Sequence, residues 1–70
     1  MREVKIQTNI FEWESNPTTQ EDNHFGIADR YTLYQAGVEV GKLVKYINRD
    51  FAMFINRVRI DLPCTEIGFI

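Results

Sequence analysis

The stretch from residue 40 to residue 58 constrains the fold of this chain more than any other part of the sequence. Its apolar residues recur at steps of three, four and seven, which place side chains on one face of an α-helix. The members of this stripe are Val40, Leu43, Val44, Ile47, Phe51, Phe54, Ile55 and Val58. The spacing predicts an amphipathic helix over about residues 42–57.

The same stretch also fits two β-strands joined at Asn48-Arg49-Asp50. β-Branched residues are frequent between residues 38 and 47, and residues 48 and 50 are weak helix formers. We favour the helix because its period extends over the whole stretch, and we keep the pair of strands as the alternative.

The N-terminal segment alternates with period two. Val4, Ile6, Thr8 and Ile10 point one way and polar residues point the other, which predicts a half-buried strand. The phase slips at Phe11, so we expect a bulge or a strand end there. Residues 14–24 contain no hydrophobic side chain and are rich in turn formers, which predicts a loop.

Further strands are predicted in the remaining segments. Residues 31–33 have strand propensity, and Ala36-Gly37 is a plausible tight turn into residues 38–40, so a β-hairpin is expected. Residues 58–62 alternate cleanly, and Pro63 ends this strand or places it at a sheet edge. The apolar residues 67–70 fit a last strand, a docked tail or a contact for a partner.

Together these segments predict an α+β fold, a small antiparallel sheet with one helix packed on it, in a single small domain over residues 1–70. The runner-up is an all-β meander. The predicted core consists of Val4, Ile6, Ile10, Leu33, Val40, Val44, Ile47, Phe51, Phe54, Ile55, Val58 and Ile60.

Composition excludes several classes of protein. One cysteine and a net charge of −2 argue against a disulfide framework, a cysteine-rich zinc module and a strongly basic nucleic-acid arm. The longest apolar run, residues 51–55, is far shorter than the ~20 residues of a membrane-spanning helix. The N-terminal residues do not resemble a secretory signal, so we expect a cytoplasmic protein with no membrane association.

No set of residues with catalytic spacing is apparent. A Cys64–His24 dyad is conceivable, but nothing local to either residue supports it. Glu21, Asp22 and His24 match neither an EF-hand loop nor a zinc-site spacing. We therefore expect no enzymatic activity, no metal and no cofactor.

Charge is distributed unevenly along the chain. Residues 42–59 carry five basic side chains against Asp50 alone, whereas residues 1–35 carry three basic and six acidic groups. On the predicted helix, Lys42, Lys45 and Arg49 would form one stripe with Tyr46 beside it. Such a stripe can meet an acidic patch on a protein or hold nucleic-acid phosphates.

The sequence predicts a small protein-binding module that covers a surface of a larger protein or complex, as an accessory, adaptor or inhibitor of the kind common in phage and mobile elements. A nucleic-acid-binding protein that uses the basic face of residues 42–59 is the alternative. A core this small is often supplemented by association, so we also expect a homodimer or a complex subunit. The candidate contact residues are Trp13, Tyr34, Lys42, Lys45, Tyr46, Arg49, Arg57, Arg59 and Phe69.

Overall fold

Strands dominate the computed structural model, which describes residues 2–70. They are β1 (Arg2–Ile6), β2 (Asn9–Asn16), β3 (Ile27–Gln35), β4 (Val38–Tyr46), β5 (Phe51–Ile55), β6 (Val58–Leu62) and β7 (Ile67–Phe69). A short helix, α1 (Gln20–His24), joins β2 to β3, and one turn of 3₁₀ helix (Cys64–Glu66) joins β6 to β7. The predicted α+β fold is therefore wrong, and the structure matches the all-β alternative.

All seven strands belong to one curled antiparallel sheet with the order β6-β5-β4-β3-β2-β1-β7. The first six strands follow one another as a meander, and β7 returns to pair with β1. We call the face that encloses the core the inner face, and the opposite face the outer face. β6 and β7 are the terminal strands of the sheet.

The predicted helix over residues 42–57 is instead the β4–β5 hairpin. Arg49 has a positive φ of 74°, and the Asp50 N–H donates a 3.0 Å hydrogen bond to Asn48 Oδ1, so residues 47–50 form the turn. Leu43 is buried on the inner face, whereas its neighbour Val44 is buried on the outer face. Because apolar residues occupy both faces here, their spacing imitates the period of a helix.

Two-residue turns close three other hairpins. The turn at Ala36-Gly37 is confirmed, with φ of 52° and 77° at its two residues. Residues 7–8 join β1 to β2, and residues 56–57 join β5 to β6. Positive φ at both Asn56 and Arg57 is the signature of a type I′ turn.

The turn at residues 7–8 also explains the phase slip near Phe11. Residues 2–13 form two strands rather than one, so Phe11 faces inward and Ile10 faces outward with 52% of its surface exposed. The predicted loop over residues 14–24 is only partly correct, because β2 continues to Asn16 and α1 begins at Gln20.

α1 is held by a capping box. Thr19 Oγ1 accepts a 3.1 Å hydrogen bond from the Asp22 N–H, and Asp22 Oδ2 accepts one of 2.8 Å from the Thr19 N–H. Arg30 Nη1, on the outer face of β3, lies 3.3 Å from the same Asp22 oxygen. The hydrogen bond from the Thr19 backbone, followed by smaller contributions from the Thr19 side chain and Arg30, lowers the pKa of Asp22.

The predicted core is partly correct. Val4, Ile6, Leu33, Val44 and Phe51 are buried, and Val40 and Ile55 pack partly buried against the core. Ile10, Ile47, Phe54, Val58 and Ile60 are exposed, so their assignment to the core is wrong. The sequence interpretation missed Phe11, Leu43, Ala52, Met53 and Leu62, which are buried. Strand alternation, rather than helical phase, decides which of these side chains face the core.

Candidate interaction surface

The sheet separates the basic residues that the predicted helix would have aligned. Lys42 faces outward from β4, opposite Phe54, whereas Lys45 lies on the inner side, opposite Phe51. Lys45 Nζ is 5.9 Å from the centre of the Phe51 ring. Arg49 lies in the β4–β5 turn. The predicted stripe of Lys42, Lys45 and Arg49 is therefore wrong, because a strand sends side chains an odd number of positions apart to opposite faces.

Strand pairing instead gathers a different group of side chains on the outer face. Lys42 pairs with Phe54, and Phe54 pairs with Arg59, so these three residues form one row across β4, β5 and β6. Tyr46 lies next to this row because its hydroxyl contacts Arg59. We call Lys42, Tyr46, Phe54 and Arg59 the outer patch. The remaining predicted arginine, Arg57, lies outside it in the β5–β6 turn.

Hydrogen bonds orient both cations of the outer patch. Arg59 Nε donates to Asp61 Oδ1 at 2.9 Å, and Arg59 Nη2 donates to Tyr46 Oη at 3.3 Å. The hydrogen bond to Asp61 is the main cause that raises the pKa of Arg59, because it stabilises the charged guanidinium. Lys42 Nζ donates to Thr32 Oγ1 at 3.1 Å and lies 3.6 Å from a Glu39 carboxylate oxygen.

Phe54 is the aromatic centre of the outer patch. It is 37% exposed and lies between two side chains that carry positive charge. The sequence interpretation placed Phe54 in the core because it followed the helical spacing. The two-strand alternative would have placed Phe54 correctly. In a strand, Phe51, Met53 and Ile55 face inward together, and Phe54 must then face outward.

Trp13 and Phe69, both predicted contact residues, meet on the inner face of the sheet. The Trp13 ring lies 5.1 Å from the Tyr31 ring and 5.3 Å from the Phe69 ring, both nearly perpendicular. Phe69 also lies 6.3 Å from Phe51. Arg2 covers the Trp13 ring at 5.5 Å, and Trp13 Nε1 donates to the Glu3 carbonyl at 3.2 Å. Because these aromatic rings pack against one another, their contacts stabilise the fold.

Tyr34 faces outward at a distance from the outer patch. It pairs with Glu12 of β2 and, beyond a register shift, with Glu39 of β4. Partial burial, together with the neighbouring carboxylates of Glu14 and Glu39, raises the pKa of Tyr34. An acidic environment therefore distinguishes Tyr34 from Tyr46, whose hydroxyl faces an arginine.

The remaining side chains of residues 2–70 bear on whether the chain has a metal site or a reactive group. Within residues 2–70, no three His, Cys, Asp or Glu side chains converge as metal ligands would. Cys64 is exposed in the 3₁₀ turn, and His24 is the last residue of α1. An open cleft of about 550 Å³ lies beside the outer patch and is lined in part by Tyr46, Arg59 and Asp61.

Comparison with protein-family models, with curated proteins and with solved structures finds no match for this chain. No helix within residues 2–70 combines the length and the apolar content that crossing a lipid bilayer requires. The interpretation of function therefore depends on the surfaces of the fold itself.

Proposed function

We propose that this chain is a small, non-catalytic protein-binding module that docks on a larger protein or complex through the outer patch. The observation that carries the proposal is the exposed ring of Phe54 between Lys42 and Arg59 on the face of the sheet opposite the core. Aromatic residues and arginine are the types that contribute most binding energy when a partner buries them.

The charges of the outer patch indicate the chemistry of the partner. Both cations are paired with exposed carboxylates, Lys42 with Glu39 and Arg59 with Asp61. Exposed ion pairs contribute little stability, so partner carboxylates can replace these at small cost. The expected partner surface offers an apolar group to Phe54 and acidic groups on both sides of it.

The arrangement favours a protein partner over a nucleic acid. The five basic residues between 42 and 59 do not form one face: two lie in the outer patch, one on the inner side and two in turns. A nucleic-acid surface requires several cations that follow the phosphate backbone. The basic helix face that supported the nucleic-acid alternative does not exist in this fold.

The test is capture of a partner by the tagged chain from lysate of the source cell, with and without nuclease, followed by calorimetry with the purified partner. We expect the wild-type chain to retain one stoichiometric protein after nuclease treatment. Phe54→Ser is expected to weaken the binding of this protein at least about tenfold, because it removes an aromatic anchor.

Ile10→Ser is the matched control. Ile10 is also an exposed apolar residue on the outer face, but it lies on β2, three strands away from β5, which carries Phe54. Its substitution is expected to leave binding unchanged. Equal losses in both variants would contradict the assigned surface, and a capture lost to nuclease and salt would favour the nucleic-acid alternative.

A further inference from the structure

The outer edge of β6 carries no strand of the sheet within residues 2–70. The strand nevertheless alternates cleanly, with Val58, Ile60 and Leu62 on the inner face and Arg59 and Asp61 on the outer face. Val58 is 56% exposed and Ile60 is 37% exposed, although both lie on the face that encloses the core elsewhere. A strand of this kind is a template for pairing with another strand.

The turn before β6 fixes the direction of its backbone groups. In a hairpin closed by a two-residue turn, the residues that flank the turn exchange both backbone hydrogen bonds, and every second pair after them does the same. Val58, Ile60 and Leu62 therefore bond to β5. The N–H and C=O groups of Arg59 and Asp61 point away from the sheet.

The same rule is observed at the other end of the sheet. β1 and β2 are also joined by a two-residue turn, and residues 3 and 7 are in the positions that should face away from β2. The Glu3 carbonyl accepts a 3.0 Å hydrogen bond from the Ile70 N–H, and the Gln7 N–H donates a 2.9 Å bond to the Glu66 carbonyl. The outward groups of β1 are thus used by the segment that contains β7.

We infer that the open edge of β6 pairs with β6 of a second copy of this chain, antiparallel and centred on Ile60. In this register Arg59 lies opposite Asp61 of the second copy, and Asp61 lies opposite Arg59. Both pairs contain only residues whose backbone groups point outward, so four backbone hydrogen bonds form. Opposite charges face each other twice across the two-fold axis.

The neighbouring antiparallel registers are worse. Shifting the pairing by two residues in one direction places Arg59 opposite Arg59. The opposite shift places Asp61 opposite Asp61 and brings Arg59 against Pro63, which has no N–H to donate. Like charges directly opposite each other are destabilising, so charge selects the register centred on Ile60.

The pairing also covers apolar surface. Val58 faces Leu62 of the second copy, and the two Ile60 side chains lie opposite each other in the pair where side chains approach most closely. The result is one continuous sheet across both copies. This inference does not require the proposed function, although Arg59 belongs to both surfaces, and the dimer would bring two outer patches onto one face.

Reciprocal charge reversal tests the register. Sedimentation equilibrium from about 5 µM to about 500 µM covers the range expected for so short an interface. We expect a reversible dimer of the wild-type chain. Arg59→Asp and Asp61→Arg are each expected to raise the dimer dissociation constant at least about tenfold, because each places like charges opposite one another twice.

An equimolar mixture of the two single variants is the decisive sample. Their heterodimer again places opposite charges in both pairs, so we expect its dissociation constant to return to about that of the wild type. Lys5→Asp is the control, since it makes the same charge change on a strand at the other end of the sheet. Circular dichroism checks that all variants fold.

Three results would overturn the inference. A wild-type chain that is monomeric at the highest concentration excludes the pairing. Single variants that dimerise as the wild type does place the interface elsewhere. A mixture that stays monomeric shows that the two charges do not face each other across the interface.

Discussion

The first and the last hairpins of this sheet have the same kind of turn, but their outer edges differ in whether another strand covers them. β1–β2 and β5–β6 are both closed by two-residue turns, and each places one strand at the side of the six-strand meander. The outer edge of β1 is covered by β7, whereas the outer edge of β6 is not covered within residues 2–70.

Coverage by a strand of only three residues changes the burial of its neighbour. Val4 and Ile6 of β1 are completely buried, while Ile60 and Val58 of β6, which also face inward, remain exposed. The difference shows that inward orientation is insufficient for burial in a small sheet. On the terminal strand β6, only Leu62, which lies opposite Phe51, is buried, whereas Val58 and Ile60 have no neighbouring strand on their outer side and stay in contact with water.

The largest loss of stability is expected from a substitution that disturbs the contact between β4 and the last hairpin, β5–β6. Gly41 of β4 lies directly against β5, and a Cβ at this position would meet the Phe54 carbonyl and the Ile55 side chain. Gly41→Ala must move this backbone, and we expect it to lower the free energy of unfolding by about 3 kcal/mol. Urea denaturation measures the loss.

Gly68→Ala is the matched control in β7. A Cβ at Gly68 meets no atom within 4 Å, and alanine restricts the unfolded chain more than glycine does. We expect no loss of stability, and a gain of up to about 1 kcal/mol. Equal losses in the two variants would mean that the close approach at Gly41 has no energetic importance.

The next largest loss of stability is expected from a substitution in β7, the strand that covers the edge of β1. Phe69→Ala removes the ring of β7 that contacts Trp13, Tyr31 and Phe51. Full truncation of a core phenylalanine costs about 3–5 kcal/mol, and because Phe69 is 44% exposed we expect about 2 kcal/mol. Thermal and urea unfolding, with near-ultraviolet circular dichroism of Trp13, report the loss.

Phe25→Ala is its control, because Phe25 is 65% exposed and its ring contacts only the His24 ring among the aromatic side chains of residues 2–70. The expected change is within about 0.5 kcal/mol. A Phe69→Ala variant as stable as the Phe25→Ala variant would show that β7 does not hold the edge of β1.

A smaller effect is expected at α1, which packs on β3 between the two hairpins. Thr19→Ala removes the side-chain half of the capping box and is expected to cost about 1 kcal/mol. Hydrogen exchange should accelerate in residues 20–24 and stay unchanged in both terminal hairpins. Faster hydrogen exchange in β1 or β6 would contradict the expectation that the stability of α1 does not affect the edges of the sheet.

The same capping box predicts a pH dependence. Because the folded-state pKa of Asp22 lies below its ordinary value of 3.8, its contribution to stability is complete above that value. The contribution is lost as the pH falls through the folded-state pKa, since protonation removes the charged acceptor. Titration of the Asp22 carboxyl by NMR should give a pKa below 3.8, and Asp22→Asn should flatten stability over this acid range.

The smallest effect on folding is expected at the open edge. Ile60→Thr keeps the β-branched shape at a side chain already in contact with water, so we expect a loss of less than about 1 kcal/mol in the monomer. Val4→Thr, on the covered strand β1, buries a hydroxyl and should cost about 2 kcal/mol. If Ile60→Thr and Val4→Thr lowered the free energy of unfolding equally at low protein concentration, the difference in burial between β1 and β6 would have no energetic importance.

Several elements were predictable from the sequence because their signals are local. The Ala36-Gly37 turn contains a glycine, which accepts positive φ, and residues 58–62 alternate without interruption before Pro63. Both features became part of the structure as predicted. In the candidate site, Lys42, Tyr46 and Arg59 were among the contact residues predicted from the sequence, but the shared face of the sheet that brings them together was not predicted.

The wrong predictions of the helix, of the buried Phe54 and of the basic stripe have one common cause. Residues 40–58 carry apolar side chains on both faces of β4 and β5, and a stretch apolar on two faces has no unique period. The helical interpretation then placed Phe54 inside and aligned Lys45 with Lys42. Strand pairing reverses both assignments, since neighbouring positions in a strand face opposite ways.

The sequence by itself determined the Ala36-Gly37 turn, the strand over residues 58–62 and the small size of the core, because these depend on chain length or on residues close together in the chain. Only the tertiary structure decided which edge is covered, which aromatics are buried and which cations share a face. These properties depend on contacts between distant segments, such as Phe69 with Trp13 and Lys42 with Phe54. The pairing of β7 with β1 joins the two ends of the described chain and leaves the edge of β6 open.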